Sequence, residues 1–263
     1  MKTTSKYNFK RLTTKSSALL ALILLMPIST LAIESENSGE SSGSGSSSSF
    51  CSKFSVESAK ITTKMTEKAT KLTTAWNKQN EVFTSKSIAN DQKVNEARVK
   101  SDAARTKNIL ALESKASNEA QTQAVKSYEA AVKSAISARR ASYDAAKATF
   151  RSAVQSAVET KQGSVIKQYE SFTAAVNTAI GTAQASCTAT PTNSSAIRDT
   201  FKASMKSAKS TYLKSRSSDG TIGSQVKQLV VTRNSAFKAA DTAFQAAMST
   251  AKDSLKVAFT KAT

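Results

Sequence analysis

A row of apolar side chains runs through the middle of the chain. Its members are three, four or seven residues apart, so they all lie on one side of a single α-helix. Between the ends of this row there is no proline and one glycine, Gly163, and alanine fills much of the remaining surface. The row predicts a helix over about 119–185. Its members are Val125, Tyr128, Val132, Ile136, Tyr143, Phe150, Val154, Val158, Val165, Tyr169, Phe172, Val176 and Ile180.

A second apolar row precedes the first. Ile61, Leu72, Phe83 and Val94 recur every eleven residues, which is close to three whole helical turns. The stripe therefore stays nearly straight along the helix axis. This row predicts a helix over about 54–116.

The two rows are out of phase, and the mismatch falls between Ala116 and Val125. Ser, Asn and Glu at 117–119 include good N-cap residues. The only two cysteines, Cys51 and Cys187, are placed symmetrically about position 119. In an exported chain they predict a disulfide, which can close only if the helices double back; in a compartment that is not oxidising they would be free thiols. We therefore expect a helical hairpin with its tip near 117–119.

A third apolar stripe predicts a helix over about 195–262. The segment 217–223 has the composition of a loop, yet the stripe keeps its phase from Tyr212 to Val226. We expect one helix with a kink there; two helices that turn back at this segment are the alternative. The expected fold is all-α, an elongated antiparallel three-helix bundle made of a long helical hairpin and a third, interrupted helix.

The hairpin register brings three unusual features to the same height. They are the only tryptophan, Trp76, the glycine at 163 and the break at 217–223. Either the small residue makes room for the large ring, or the helices open locally at a binding site. We favour the packing interpretation, because a tryptophan at helical spacing usually belongs to the core.

The N-terminus has the features of a secretory signal peptide over 1–32. Five basic residues precede a short apolar run, and small residues stand at Thr30 and Ala32. An uncleaved anchor is the alternative, but the run is shorter than a spanning helix requires. Residues 33–50 are rich in serine and glycine and predict a disordered tether, which leaves 51–263 for the bundle. We expect export to the cell surface or the extracellular space, with no transmembrane segment in the mature chain.

Little in the chain suggests catalysis. There is no histidine, the carboxylates are scattered singly, and no glycine-rich phosphate loop is present, so neither an enzyme nor a cofactor is expected. With both cysteines assigned to a disulfide, no metal site is expected either. Arg139 and Arg105 lie within the apolar stripes. We expect Arg139 to pair near Asp102 and Glu96, and Arg105 near Glu129, as ion pairs that fix the register.

The formal charge of +19 falls to +14 when the five leader charges are removed (19 − 5). Nine basic residues flank the third apolar stripe within about 80° of one another, at 100° per residue. This ridge is a candidate site for a polyanion such as a surface polymer, anionic lipid or extracellular nucleic acid; a solvated edge is the alternative. Sequence-specific nucleic-acid binding is not expected, since no aromatic residues interleave with the ridge. Its members are Arg198, Lys202, Lys206, Lys209, Arg216, Lys227, Lys238, Lys252 and Lys256.

Several local patterns together resemble an uncharacterised group of exported, alanine-rich helical proteins of ultrasmall candidate-phylum bacteria. The patterns are Phe50-Cys51, Trp76, Ala138-Arg139-Arg140-Ala141, Phe150-Arg151, Cys187, Ile197-Arg198 with Phe201, and the closing Leu255 to Phe259. The resemblance implies a helical architecture and export but no activity. The first functional hypothesis is a structural or adhesive rod whose partner is a surface polymer or another surface protein. A polyanion-binding protein is the second, and a membrane-active hairpin the third.

Overall fold

The computed structural model describes residues 49–220 and 222–260, and these residues are helical with short connections and no strand. The leader at 1–32 and positions 33–48 of the expected tether lie outside the described residues. Within them the elements are α1 (Ser49–Glu113), α2 (Glu119–Ala189), a 3-10 turn (Pro191–Asn193), α3 (Ser194–Ser218) and α4 (Ile222–Thr260). The all-helical fold class is confirmed.

Helix α1 begins earlier than expected, so the last two positions of the predicted tether are helical. Packing explains the difference: the ring of Phe50 lies 4.8 Å from that of Phe54 and 6.3 Å from that of Phe201. The backbone N–H of Cys51 donates a hydrogen bond to the Ser194 hydroxyl at 3.2 Å. These contacts stabilise a first helical turn that the polar composition of the tether conceals.

The connection at 114–118 overlaps the expected tip at 117–119. The Asn118 side chain accepts a hydrogen bond from the Gln121 N–H at 2.9 Å, and the Gln121 side chain accepts one from the Ser117 N–H at 2.8 Å. This reciprocal arrangement satisfies backbone groups that a helix start leaves unpaired, as in a capping box. Helix α2 therefore starts at a defined residue, Glu119.

Contacts divide the chain into two compact units. Unit 1 contains the described residues up to Glu81 together with Glu159–Gly223, and unit 2 contains Val82–Val158 with the described residues from Ser224 onward. Unit 1 is built from parts of α1 and α2 with α3 and the first two residues of α4. Unit 2 is built from the remaining parts of α1 and α2 with the rest of α4.

The core of unit 1 is apolar and rich in aromatic rings. Phe54, Tyr169 and Phe172 are each less than 5% exposed. Phe54 meets Phe201 edge-on with centroids 4.9 Å apart, and Phe172 lies 5.2 Å from Tyr212. A disulfide joins α1 to α2 within this cluster, which confirms the predicted Cys51–Cys187 pair; the two Cα atoms are 5.4 Å apart.

The core of unit 2 is built from smaller side chains. Its most completely buried members are valines, and alanines fill positions on α2 and α4, which allows close approach of the helices. One aromatic pair is present among the described contacts of this unit, Tyr143 stacked on Phe237 at 4.3 Å. The buried valines and alanines of unit 2 are Val125, Val132, Ala135, Val154, Val158, Val226, Ala240 and Ala251.

Candidate functional site

The nine residues of the predicted basic ridge do not fall in one unit. Five lie on α3 in unit 1, and Lys227, Lys238, Lys252 and Lys256 lie on α4 in unit 2, all four exposed. On α3 the five cations lie within about 80° of one another at 100° per residue. We call these five the α3 basic face: Arg198, Lys202, Lys206, Lys209 and Arg216.

The α3 basic face is not uniform. Lys202 and Lys206 are exposed and have no acidic partner among the described residues, whereas Arg198 bonds to the neighbouring Asp199 at 3.2 Å. Lys209 and Arg216 are half-buried. Over its full length α3 carries six basic residues and one acidic residue, so unit 1 presents a local excess of positive charge here.

Three Arg–Asp pairs join α1 to α2 in unit 2, and in each the guanidinium binds both carboxylate oxygens. Arg151 reaches Asp91 at 2.5 and 2.7 Å, and Arg98 reaches Asp144 at 2.7 and 2.9 Å. The third pair joins Arg140 to Asp102 at 2.8 and 2.9 Å. Bidentate pairs fix geometry as well as charge. We call this set the Arg–Asp ladder: Asp91–Arg151, Arg98–Asp144 and Asp102–Arg140.

The ladder lowers the pKa of two of its carboxyl groups. The hydrogen bond from Arg151 holds the pKa of Asp91 below its ordinary value, and the hydrogen bond from Arg98 does the same for Asp144. The pKa of the nearby Lys147 is lowered as well, but by burial, because desolvation disfavours the charged form of the amine. The two carboxylates therefore stay ionised at any pH near neutrality.

The prediction that Arg139 pairs near Asp102 is wrong, because the next residue in the sequence, Arg140, takes that place. Asp102 is bound by Arg140, while Arg139 binds Asp241 on α4 at 2.6 Å and lies over the rings of Tyr143 and Phe244. Adjacent helical residues differ by 100° in direction, so the two arginines address different neighbouring helices. Arg105 forms an ion pair with Asp102 one turn earlier on its own helix.

A layer of polar side chains lies next to the aromatic core of unit 1, toward the C-terminal end of α3. Lys161 donates to the carbonyl of Asp219 at 2.5 Å, to that of Gly220 at 3.0 Å and to the Asp219 carboxylate at 2.8 Å. Ser164 donates to the same carboxylate at 3.0 Å. These bonds tie α2 to the end of α3 and satisfy carbonyl groups that the helix end leaves unpaired. They also hold the pKa of Asp219 below its ordinary value, mainly through Lys161.

Other members of this layer carry buried polar atoms without a partner. The Gln168 amide nitrogen donates to the Ser215 carbonyl at 3.3 Å, but its Oε1 has no partner among the described residues. The same holds for Trp76 Nε1, Gln79 Oε1 and Arg216 Nη1. We call this set the polar layer: Trp76, Gln79, Lys161, Ser164, Gln168, Ser215, Arg216 and Asp219.

Gly163 lies beside the polar layer, but it does not make room for the tryptophan ring. A Cβ atom added at this glycine would meet nothing within 4 Å, and the same is true at Gly220. The expectation that Gly163 makes room for the ring is therefore wrong, whereas the expectation that Trp76 belongs to the core is confirmed. Open space adjoins both glycines, and the ring of Trp76 is nevertheless buried, with 6% of its surface exposed.

The described residues contain no group of three or more side chains suited to a metal ion. Among the described helices, none combines the length and the apolar character needed to cross a membrane. No family model, curated protein or solved structure matches the chain.

Proposed function

We propose that the chain is an exported helical protein with a structural or adhesive, non-enzymatic role at the cell surface or outside the cell. The observation that carries this proposal is the disulfide between Cys51 and Cys187, which closes a loop with a sequence separation of 136. Such crosslinks form and persist in oxidising compartments outside the cytosol. A secretory leader over 1–32, expected from the sequence, would deliver the chain there.

We further propose that the helices form an antiparallel three-helix bundle. As residue numbers rise on α1, those of their partners on α2 fall, within each unit taken by itself. The pairs in unit 1 are Cys51–Cys187, Ser58–Gln184 and Met65–Tyr169. The pairs in unit 2 are those of the Arg–Asp ladder. Partners on the remaining helices follow the same trend, as in Gln168–Ser215 and Lys161–Asp219, or Tyr143–Phe237 and Arg139–Asp241.

A structural role agrees with how the charges between the helices are used. The charged side chains of the Arg–Asp ladder bind one another in defined pairs, which fix helix register. Directional polar contacts of this kind specify one alignment of long helices that apolar stripes alone leave free to slide. A protein that spaces or links surfaces needs such a defined alignment.

Two measurements test this proposal: whether the protein is exposed on the outside of intact cells, and whether it adheres to them. An epitope tag at the C-terminus should be cleaved by protease added to intact producing cells, and beads coated with the purified disulfide-bonded protein should be retained on those cells. Beads coated with the reduced and alkylated protein are the matched control and should be retained less. A tag protected from protease until the cells are lysed would contradict the proposal.

A second function, binding of an anionic polymer, is favoured by one observation. Lys202 and Lys206 are exposed on α3 without an acidic partner among the described residues, in a helix with six basic residues and one acidic residue. Cations so arranged release counterions when they bind a polyanion, so affinity falls as salt rises. The ligand would be recognised by charge density rather than by sequence or shape.

The charge-removal variant Lys202→Gln, Lys206→Gln, Lys209→Gln tests the second function. Against a heparin or duplex DNA probe, affinity should fall and the slope of log K on log salt should flatten by about one unit for each lost contact, about three in all. The matched control removes three exposed lysines of α1 in unit 2, Lys86, Lys93 and Lys100, and should change the slope less. Equal slopes for the two variants would show that the α3 basic face is only a solvated edge.

A further inference from the structure

Helix α3 has the largest excess of positive charge among the helices of unit 1. It contains six basic residues and one acidic residue, whereas the part of α1 up to Glu81 has six and three, and the part of α2 from Glu159 has two and two. On the α3 basic face, Lys202 and Lys206 are exposed one helical turn apart, and neither has an acidic partner among the described residues. An acidic segment would therefore be attracted to this face more strongly than to the rest of unit 1.

The chain contains an acidic segment directly before α1. Residues 33–48 include Glu34, Glu36 and Glu40 and neither lysine nor arginine. The other positions are serine, glycine, one asparagine and one isoleucine, which is the composition of a linker. Charge is thus the main property through which this segment can recognise the folded part of the chain.

The acidic segment joins the folded chain beside α3. The ring of Phe50, in the first turn of α1, lies 6.3 Å from the ring of Phe201 on α3. Lys202 directly follows Phe201, and Lys206 is about 7.5 Å further along the helix axis than Phe201, at 1.5 Å per residue. Both exposed lysines therefore lie close to the point where the segment enters α1.

The length of the segment suits this short distance. Glu40 is nine residues before Ser49, and Glu34 is fifteen residues before it. For a chain rich in serine and glycine, the root-mean-square separation is about 5–6 Å times the square root of the number of residues. This gives about 15–18 Å for Glu40 and about 19–23 Å for Glu34. A short linker of this kind holds its charges near the face at an effective concentration of about 1 mM or more.

We propose that the predicted tether lies against the α3 basic face of its own molecule, with its glutamates near Lys202 and Lys206. The contact is electrostatic and exposed to solvent, so it is weak and depends on salt. A polyanion must displace the tether before it can bind, so the tether acts as a competitor within the same chain. This consequence rests on the proposed polyanion function, whereas the contact itself does not.

Zero-length crosslinking tests the contact without any polyanion. A carbodiimide joins a carboxylate to an amine when the two groups are close enough to form an ion pair. In the exported, disulfide-bonded protein, the tether glutamates should be joined to Lys202 or Lys206 at least about threefold more often than to Lys53. Lys53 is the matched control, since it is exposed one turn after α1 begins and a tether without a preference would reach it as easily. The yield on α3 should fall as sodium chloride rises from about 20 to about 500 mM.

Removal of the tether charges tests the competition. The variant Glu34→Gln, Glu36→Gln, Glu40→Gln should bind a heparin probe about three- to tenfold more tightly than the wild type at about 50 mM salt. The gain should disappear when the same changes are made in the charge-removal variant of α3, which lacks the lysines that the tether contacts. Circular dichroism should show the same helix content in all these proteins, because the substitutions lie before α1 or on an exposed face.

A matched control separates competition from a general change in net charge. Glu67→Gln, Glu81→Gln, Glu170→Gln removes three exposed acidic residues from α1 and α2 of unit 1, so it alters the net charge by the same amount. Because these side chains are fixed on helices away from the α3 basic face, the affinity for heparin should change less than about twofold.

Three results would overturn the proposal. One is crosslinking of the tether glutamates to Lys53 as often as to the two α3 lysines. Another is crosslinks that join isotope-labelled to unlabelled chains in a mixture, which would place the tether on a second copy. The third is equal heparin affinity of the wild type and the tether variant when both bind. If the expected crosslinks form but the wild type binds no heparin, the contact is supported and only the polyanion function fails.

Discussion

In unit 1 the helices meet through aromatic rings and a disulfide, whereas in unit 2 they meet through small apolar side chains and paired charges. Phe54, Tyr169 and Phe172 are almost completely buried in unit 1. The ladder carboxylates Asp91 and Asp144 in unit 2 stay about half exposed, at 42% and 50%. Apolar burial stabilises over a wide range of pH and salt, while exposed ion pairs contribute little and depend on both.

This difference indicates how one pair of long helices can be stabilised in two ways. Unit 1 obtains its stability from burial and a crosslink, and unit 2 obtains its alignment from three bidentate pairs. The two units should therefore respond to different perturbations.

Removing the disulfide should have the largest effect. In the chain-entropy model, a crosslink that closes a loop of this length stabilises the folded chain by about 5 kcal/mol. The Cys51→Ser, Cys187→Ser variant should lower the free energy of unfolding by an amount near this, with the loss centred on unit 1. Denaturant unfolding followed by Trp76 fluorescence, which reports unit 1, measures it. A loss below about 1 kcal/mol would show that the crosslink contributes little there.

Raising the pH should weaken unit 1 through Tyr169. Burial raises the pKa of this tyrosine to about 12, and its hydroxyl donates to the Met65 carbonyl at 2.9 Å. A raised pKa means that the contribution is fully present below pH 10, the ordinary value, and is lost as pH rises toward 12. The loss should be about 2–3 kcal/mol, at 1.36 kcal/mol per unit.

Tyr169→Phe provides the comparison for this pH dependence. The variant should lose about 1 kcal/mol at neutral pH with the hydrogen bond. Its stability should then fall less than that of the wild type between pH 10 and 12. Parallel curves for the two proteins would rule out Tyr169 as the group responsible.

Lowering the pH should weaken unit 2 through the Arg–Asp ladder. The pKa values of Asp91 and Asp144 are lowered in the folded protein, so their contribution is present above about pH 4 and is lost as pH falls through the folded values. Because both carboxylates are half exposed, the combined loss should be about 1 kcal/mol. Asp91→Asn, Asp144→Asn should be less stable at pH 7 and less dependent on pH between 5 and 3. If the stability of the variant depended on pH as that of the wild type does, groups other than Asp91 and Asp144 would be responsible for the loss of stability in acid.

Replacing Gly163 should have the smallest effect, and a favourable one. An added Cβ meets nothing within 4 Å, and glycine within a helix costs about 0.5–1 kcal/mol relative to alanine. Gly163→Ala should therefore raise the midpoint of thermal unfolding. Gly181→Ala, on the same helix and equally free of contacts, should give a similar gain. A loss of stability in Gly163→Ala alone would restore the idea that this glycine makes room for Trp76.

Most of the helical fold could be predicted from the sequence because its signals are local. Apolar residues at helical spacing predicted the helices, and a short run containing Asn118 predicted the start of α2. The disulfide followed from the presence of two cysteines in a chain whose first 32 residues predict export. The start of α1 at Ser49 was missed because Phe50 packs against Phe201, a contact between residues distant in sequence.

The candidate sites were harder to predict, because they depend on the direction in which each side chain leaves its helix as well as on the spacing of residues along the sequence. Arg139 and Arg140 are adjacent in sequence, yet one binds Asp241 and the other Asp102. The predicted α1–α2 register, symmetric about position 119, was wrong by four residues. With that shift, the sequence would have placed each aspartate of the Arg–Asp ladder opposite its arginine, because all three pairs have the same register. The polar layer had only an indirect signal, the expected alignment of Trp76 with the break in the third helix.

Hydrogen exchange resolved by peptide tests the contrast between the two units most directly. Amide exchange, corrected for intrinsic rates, is compared in the oxidised protein at pH 7, the reduced protein at pH 7 and the oxidised protein at pH 3. Reduction should raise exchange mainly in unit 1 peptides such as 52–72 and 170–186, and acid should raise it mainly in unit 2 peptides such as 86–105 and 140–156. Equal responses of both sets to both treatments would show one cooperative structure and contradict the account.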